Sequence, residues 1–182
     1  MPSKIEDYAM IGDCETAALV DREGSIDWLC WPDFSSSACF TALLGSEENG
    51  FWKIAPSGDG WKSTRQYRDH TLILETTFEN AEGAVRLIEF MPIRGENSDV
   101  VRIVEGIRGK MDLCMTLSLR FDYGRTVPWV TAIEDGIRAV AGPNLAVLHT
   151  SVPVHGENLK TVAEFTVSEG QRVWFTLTYG ES

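Results

Sequence analysis

Basic residues are the scarcer charged class in this chain: 16 lysines and arginines stand against 27 acids, a net charge of −11. So acidic a surface repels phosphate backbones, and a nucleic-acid partner is excluded because such binding needs a basic face. Long apolar runs are missing too. No stretch approaches the ~18 apolar residues of a membrane-crossing helix. The opening "MPSKIEDYAM" also lacks the basic and then apolar order of a secretion signal. The expected setting is the cytoplasm, with no membrane partner.

Cysteine and histidine are sparse and scattered. Cys14, Cys30, Cys39 and Cys114 form no C-x-x-C pair, and His70, His149 and His155 do not stand near them in sequence. No metal site and no cofactor are expected, and the cysteines read as small core residues. A glycine-rich phosphate loop, a G-x-S-x-G elbow and an H-E-x-x-H helix are all lacking. The adjacent acids Glu6-Asp7, Glu47-Glu48 and Glu134-Asp135 read as solvated turns rather than catalytic pairs.

What the chain does have is alternation. Its 182 residues, 43% hydrophobic, suffice for one continuous core. Apolar and polar residues alternate in short runs, broken every eight to twelve residues by turn formers, the pattern of an all-β sandwich or barrel. In "MDLCMTLSLRFD" the odd positions Met111 to Phe121 are apolar, which predicts a strand with one buried face running to Phe121 and turns Arg120 and Asp122 together to the other face. The stretch "TLILETTFENAEGAVRLIEFMP" predicts a long hairpin with Leu72, Leu74 and Phe78 on one face before a turn at Asn80-Ala81-Glu82-Gly83 and a strand through Val85, Leu87 and Met91 after it. Six further strands follow, in "VVRIVEGI", "WVTAI", "IRAVA", "LAVLHT", "TVAEFTV" and "RVWFTLTY". Hairpin-like links favour antiparallel pairing in two stacked sheets. One exception, "SSSACFTALLG", has helical spacing and predicts a single short helix near residues 36–44. A chain that stops at "FTLTYGES", directly after a strand, reads as a fragment.

Two segments combine aromatic surface with hydrogen-bonding charge. "GSIDWLCWPDF" carries Asp27, Trp28, Trp31 and Asp33, and "LRFDYGRTVPWV" carries Arg120, Asp122, Tyr123, Arg125 and Trp129. Indole faces stack on the C–H faces of sugars while acids and arginines pair with hydroxyls. A surface that docks another domain uses the same residue types. Both readings stay open at this level, as does the role of these nine residues as substrate or interdomain contacts.

These segments, with "IEDYAMIGDCETAALVDREGSIDWLCWPDFSSSACFTALLG" and "YRDHTLILETTFENAEGAVRLIEFMP", resemble the amino-terminal domain of bacterial and archaeal glycoside hydrolase family 15 enzymes, the glucoamylase, glucodextranase and trehalase group. The resemblance implies an antiparallel β super-sandwich placed ahead of a helical (α/α)6 barrel. In that family two barrel glutamates act as general acid and base for inversion, so no residue of this chain inherits a catalytic role. The expectation is a single domain over residues 1–182 that belongs to a longer, cytoplasmic α-glucoside hydrolase. It packs on and supports the catalytic barrel, its partner, and the resemblance also allows a loop to reach the mouth of the active site. The substrate would be an α-glucoside or oligosaccharide, and the fragment alone would hydrolyse nothing. A freestanding carbohydrate-binding or interaction module is the alternative.

The sequence departs from the family at two places. Where the family commonly reads Pro-Arg-Phe-Asp-Ser, this chain has Pro32-Asp33-Phe34-Ser35-Ser36, which inverts the local charge. Its Asp-Phe-Met-Pro is here Glu89-Phe90-Met91-Pro92, with the carboxylate one methylene further out.

Overall fold

In the computed structural model, which describes residues 4–181, alternation becomes two facing antiparallel sheets joined by one long strand. The strands of the first sheet are β1 (Ala9–Gly12), β2 (Ala17–Val20), β3 (Ser25–Cys30), β4 (Ala38–Phe40) and β5 (Phe51–Pro56), with β13 (His155–Glu157) and β14 (Lys160–Ser168). The second holds β6 (Lys62–Tyr67), β7 (Leu74–Glu79), β8 (Gly83–Phe90), β10 (Trp129–Ile133), β11 (Gly136–Ala141), β12 (Asn144–Thr150) and β15 (Arg172–Glu181). Both are stitched by β9 (Ser98–Ser118). Its first half pairs with β8 and β15, its second half with β5 and β14.

The two sequence runs read as separate strands are therefore one. Even positions face the core in the first half (Val100, Arg102, Val104), and odd positions in the second (Met111, Leu113, Met115, Leu117). Ile107 to Lys110 are exposed between them, and Gly109 at φ 59° lets the chain change sheets there. A strand that crosses between facing layers must swap the parity of its buried side, since the core now lies on its other face.

One core cluster draws on both sheets: Ile26, Trp52 and Ile54 from the first meet Phe78, Leu87 and Phe175 from the second. The turn between β2 and β3 shows how closely they approach. The Asp21 carboxylate accepts from the Glu23 and Ser25 amides, each at 2.8 Å, and Gly24 follows at φ 77°. A Cβ on Gly24 would lie 2.4 Å from the Ile54 carbonyl oxygen and against Phe78 and Leu87, so only glycine fits.

Two expectations need correction. The short helix contracts to a 3-10 turn at Ala42–Leu44, because Ala38–Phe40 pairs with β3 instead. Cys30 and Cys39 are core residues, but Cys14 is exposed.

The feature with no counterpart in the sequence reading is a charged pair inside the sandwich. Arg102 and Glu89 stand directly opposite each other on β9 and β8, both on the core face and both fully buried. Arg102 Nε lies 2.9 Å from Glu89 Oε1, and its two terminal nitrogens donate to the Trp52 and Gly24 carbonyls of the facing sheet at 2.6 Å each. The guanidinium also lies over the Trp52 ring, 4.9 Å from its centroid. Burial pushes the Glu89 carboxyl up and Arg102 down, and the contact between them opposes both shifts. One arginine thus ties the two layers together.

Candidate functional site

The nine residues singled out in the sequence separate into an interior set and a surface set. Asp27 is buried in β3, accepting from the Tyr8 hydroxyl at 2.7 Å and the Ser25 hydroxyl at 2.5 Å. Trp31 is 2% exposed. Its indole donates to the Ser98 hydroxyl at 2.7 Å and packs at 5.6 Å from the Tyr179 ring. Ser98 in turn donates to the Asp13 carboxylate at 2.9 Å, which also receives Arg94 Nε at 2.8 Å; Arg94 reaches the Pro32 carbonyl as well. The loop after Trp31 is therefore strapped to the sandwich from several sides. Asp33 folds back onto the Ser35 hydroxyl and the Ser35 and Ser36 amides, and these bonds, led by the Ser35 hydroxyl, hold its carboxyl below the ordinary range. The aromatic that this loop exposes is Phe34.

Arg120 is the clearest correction. The strand ends at Ser118, not Phe121, and residues 118–121 are all buried, so Arg120 and Asp122 share no face. Arg120 points inward and donates to the Leu119 carbonyl at 2.7 Å and to the Leu159 carbonyl at 3.2 Å. Asp122 and Arg125 are exposed and only 4.0 Å apart, a solvated contact of little energy.

The chain between them is strained. Asp122 and Tyr123 take φ of 51° and 56°, the left-handed region that ordinary side chains avoid, and Gly124 follows at 88°. Paired amide bonds between Phe121 and Thr126, both 2.9 Å, close this turn. Asn49 lies under Gly124, 2.8 Å from where a Cβ would sit. The result is an exposed Tyr123 whose ring lies 6.5 Å from half-buried Trp28, tilted by 46°.

Beyond the turn the chain enters a cleft of about 930 Å³, apolar over most of its lining but bordered by Glu134, Asp135, Glu157 and Lys160. One wall is Val127, Trp129 and Val130 with β10; the other is Val152 to Val154 with the β13–β14 turn. Trp129 is 78% exposed and Leu159 75%. Tyr123, Val127 and Val130 are exposed as well. The sequence reading missed Leu159, although "GENLK" carried a signal. In a two-residue hairpin turn with Asn158 and Leu159 at φ 49° and 60°, glycine is the expected second residue. Leucine there is conformationally costly, and the Arg120 contact to its carbonyl helps hold it at the cleft wall.

Trp28, Asp122, Tyr123, Arg125 and Trp129 thus belong to one flank with Arg120 buried beneath it, while Asp27 is interior and Trp31 and Asp33 belong to the strapped loop. Among the described residues no three His, Cys, Asp or Glu side chains cluster as metal ligands would, and no helix is long and apolar enough to cross a membrane.

An antiparallel β-sandwich with one flank of uncovered aromatic and aliphatic side chains is a domain suited to packing against another. The chain belongs to the trehalase-like N-terminal family, which it matches over residues 1–181. It is similar to the trehalase of Thermoplasma volcanium, 28% identical over 97% of this chain and 29% of that protein. The trehalase of Mycobacterium tuberculosis is 27% identical over 96% of this chain and 30% of its own length. Trehalase 1 of Sulfolobus acidocaldarius is 34% identical over 70% of this chain and 22% of its own length. The chain therefore spans less than a third of each of these relatives.

Proposed function

We propose that this chain is the non-catalytic N-terminal domain of a cytoplasmic, trehalase-like α-glucoside hydrolase, and that it packs on and braces a helical-barrel catalytic domain. The observation that carries the reading is the exposed apolar flank, above all Trp129 and Leu159. A lone domain would expose such side chains to water without return, whereas covering them by a second domain contributes about 25 cal/mol per Å² of apolar surface removed. The family match and the length of the relatives support the same reading.

Trp28 and Tyr123 speak for contact at the edge of that interface rather than for a freestanding sugar platform. Their rings are tilted at 46°, whereas a flat pyranose face stacks best on a single plane or coplanar rings. The test is glucose release from trehalose, maltose and dextran. The 182-residue chain should release none above buffer, and adding it to the separately expressed remainder of the enzyme should raise that remainder's activity or melting temperature. Release by the 182-residue chain alone, or a remainder indifferent to it, overturns the reading.

A further inference from the structure

We propose that β10 is an acceptor edge for the stretch of polypeptide that follows residue 182. That stretch lies along β10 and fills the adjoining cleft with apolar side chains, Trp129 being its anchor. The inference rests on the reading of the chain as the leading domain of a longer enzyme.

The first argument is the character of the edge. Among the described residues β10 pairs only with β11, so one side of it has no strand partner. Its sequence, Trp129-Val130-Thr131-Ala132-Ile133, holds no charge and no proline, and four of the five residues are exposed. Free edges are normally blunted by charge, proline, a bulge or extreme shortness. The other outer edges here follow that rule: β6 carries Lys62 and Arg65, β13 is three residues long and β1 four. An uncharged, mostly apolar edge beside a largely apolar cleft leaves apolar surface that a covering segment would bury.

The second argument is position, and it selects the occupant. Pairing register places Gly180 opposite Leu145, Leu145 opposite Val140, and Val140 opposite Trp129. Trp129 therefore stands in the same row as the end of β15, three strand spacings away, about 14 Å. About four extended residues span that distance. Whatever continues from β15 starts level with Trp129, at one end of β10, and the relatives continue for more than twice the length matched. A short continuation reaches the edge without a long free linker.

The experiment compares amide hydrogen exchange in the 182-residue chain and in the longer polypeptide of the same gene, with glucose release measured in parallel. Residues 129–133 should exchange about tenfold more slowly in the longer polypeptide. That protection should vanish in a Trp129→Ala/Val130→Lys variant whose fold is intact, since both side chains are exposed. Equal exchange in the two proteins, or protection at Trp28 and Tyr123 alone, overturns the proposal even where glucose is released. Protection of β10 without release from any α-glucoside sustains the docking and defeats the hydrolase reading. Protection in the 182-residue chain that grows with its concentration identifies a second copy as the occupant and overturns the proposal, as does a reading frame that ends at residue 182.

Discussion

Trp31 and Trp129 sit in sequence contexts that look alike, each beside a proline and close to an acid or an arginine, yet one is 2% and the other 78% exposed. The difference lies in partners far along the chain. Trp31 donates to Ser98, 67 residues away, and Ser98 donates to Asp13, 85 residues away, so the loop is built into the sandwich. Trp129 follows a turn closed by local bonds between Phe121 and Thr126 and lies on a strand that, among the described residues, pairs on one side only. Aromatic and charged composition therefore does not separate a core strap from an exposed flank. Long-range hydrogen bonding does.

The largest effect that sharpens this contrast is expected at Arg102. Replacing it with alanine strands a buried Glu89 carboxylate and removes the guanidinium donors to the Trp52 and Gly24 carbonyls, at a cost of about 3–5 kcal/mol. Urea unfolding of the 182-residue chain should read this directly. The double variant Arg102→Met/Glu89→Leu should recover most of the loss, because no charge is then left alone in the core. Trp129→Ala should shift the same chain by no more than about 0.5 kcal/mol. Equal losses at Arg102 and Trp129 would erase the distinction between the two regions.

A smaller effect tests the boundary inside the "RFDYGR" segment. Arg120→Ala removes the donors to the Leu119 and Leu159 carbonyls in a buried setting and should cost about 1–3 kcal/mol. Arg125→Ala, whose side chain is 80% exposed, should cost almost nothing in the 182-residue chain. Thermal melts of the two variants, five residues apart, check it. An Arg120 variant as stable as wild type would return that arginine to the open flank.

Much of this fold was legible in the alternation. The β7–β8 hairpin and the strands β10, β11, β12, β14 and β15 follow from period-two apolar patterning and turn chemistry, whereas β13 has no counterpart in the sequence reading and Leu72, expected on the buried face of the hairpin, lies outside β7 and is exposed. The pattern tells which face of a strand is apolar but not which sheet it joins, so the passage of β9 from one layer to the other was invisible. Register was hidden for the same reason, and with it the pairing of Glu89 with Arg102. The nine site residues were legible as a chemical type, but their division between core and flank was not. Extending alternation past Ser118 sent Arg120 to the wrong side, because a strand end buries consecutive residues where the chain turns under β4 and the β13–β14 turn.

The smallest expected effect is the response of the strapped loop to acid, and its sign follows from Asp13. Burial acts to raise the Asp13 carboxyl. Hydrogen bonds from Arg94, the Thr16 and Glu15 amides and Ser98 outweigh it, and the net shift is downward from 3.8. Glu75 is lowered from 4.5 in the same sense, chiefly by its hydrogen bond from Arg68. A carboxyl held lower in the folded than in the unfolded chain binds fewer protons when folded. The stability it contributes is complete above the unfolded value and is lost as pH falls through the folded one. Asp13 and Glu75 therefore act to lower the melting temperature as pH drops below about 4.5, the ordinary glutamate range, and further below the ordinary aspartate range, while Asp21 and Glu89, both raised by burial, act in the opposite sense. Asp13→Asn should lower the melting temperature at pH 7, where the charge-assisted contact to Arg94 is missing, and should flatten the acid slope, since the group that titrates is gone. Asp122→Asn, on the exposed turn at the open flank, should leave the melting temperature at pH 7 near wild type. A variant at Asp13 that keeps the full acid slope would assign that slope to other carboxylates and detach the loop's rigidity from its ionised strap.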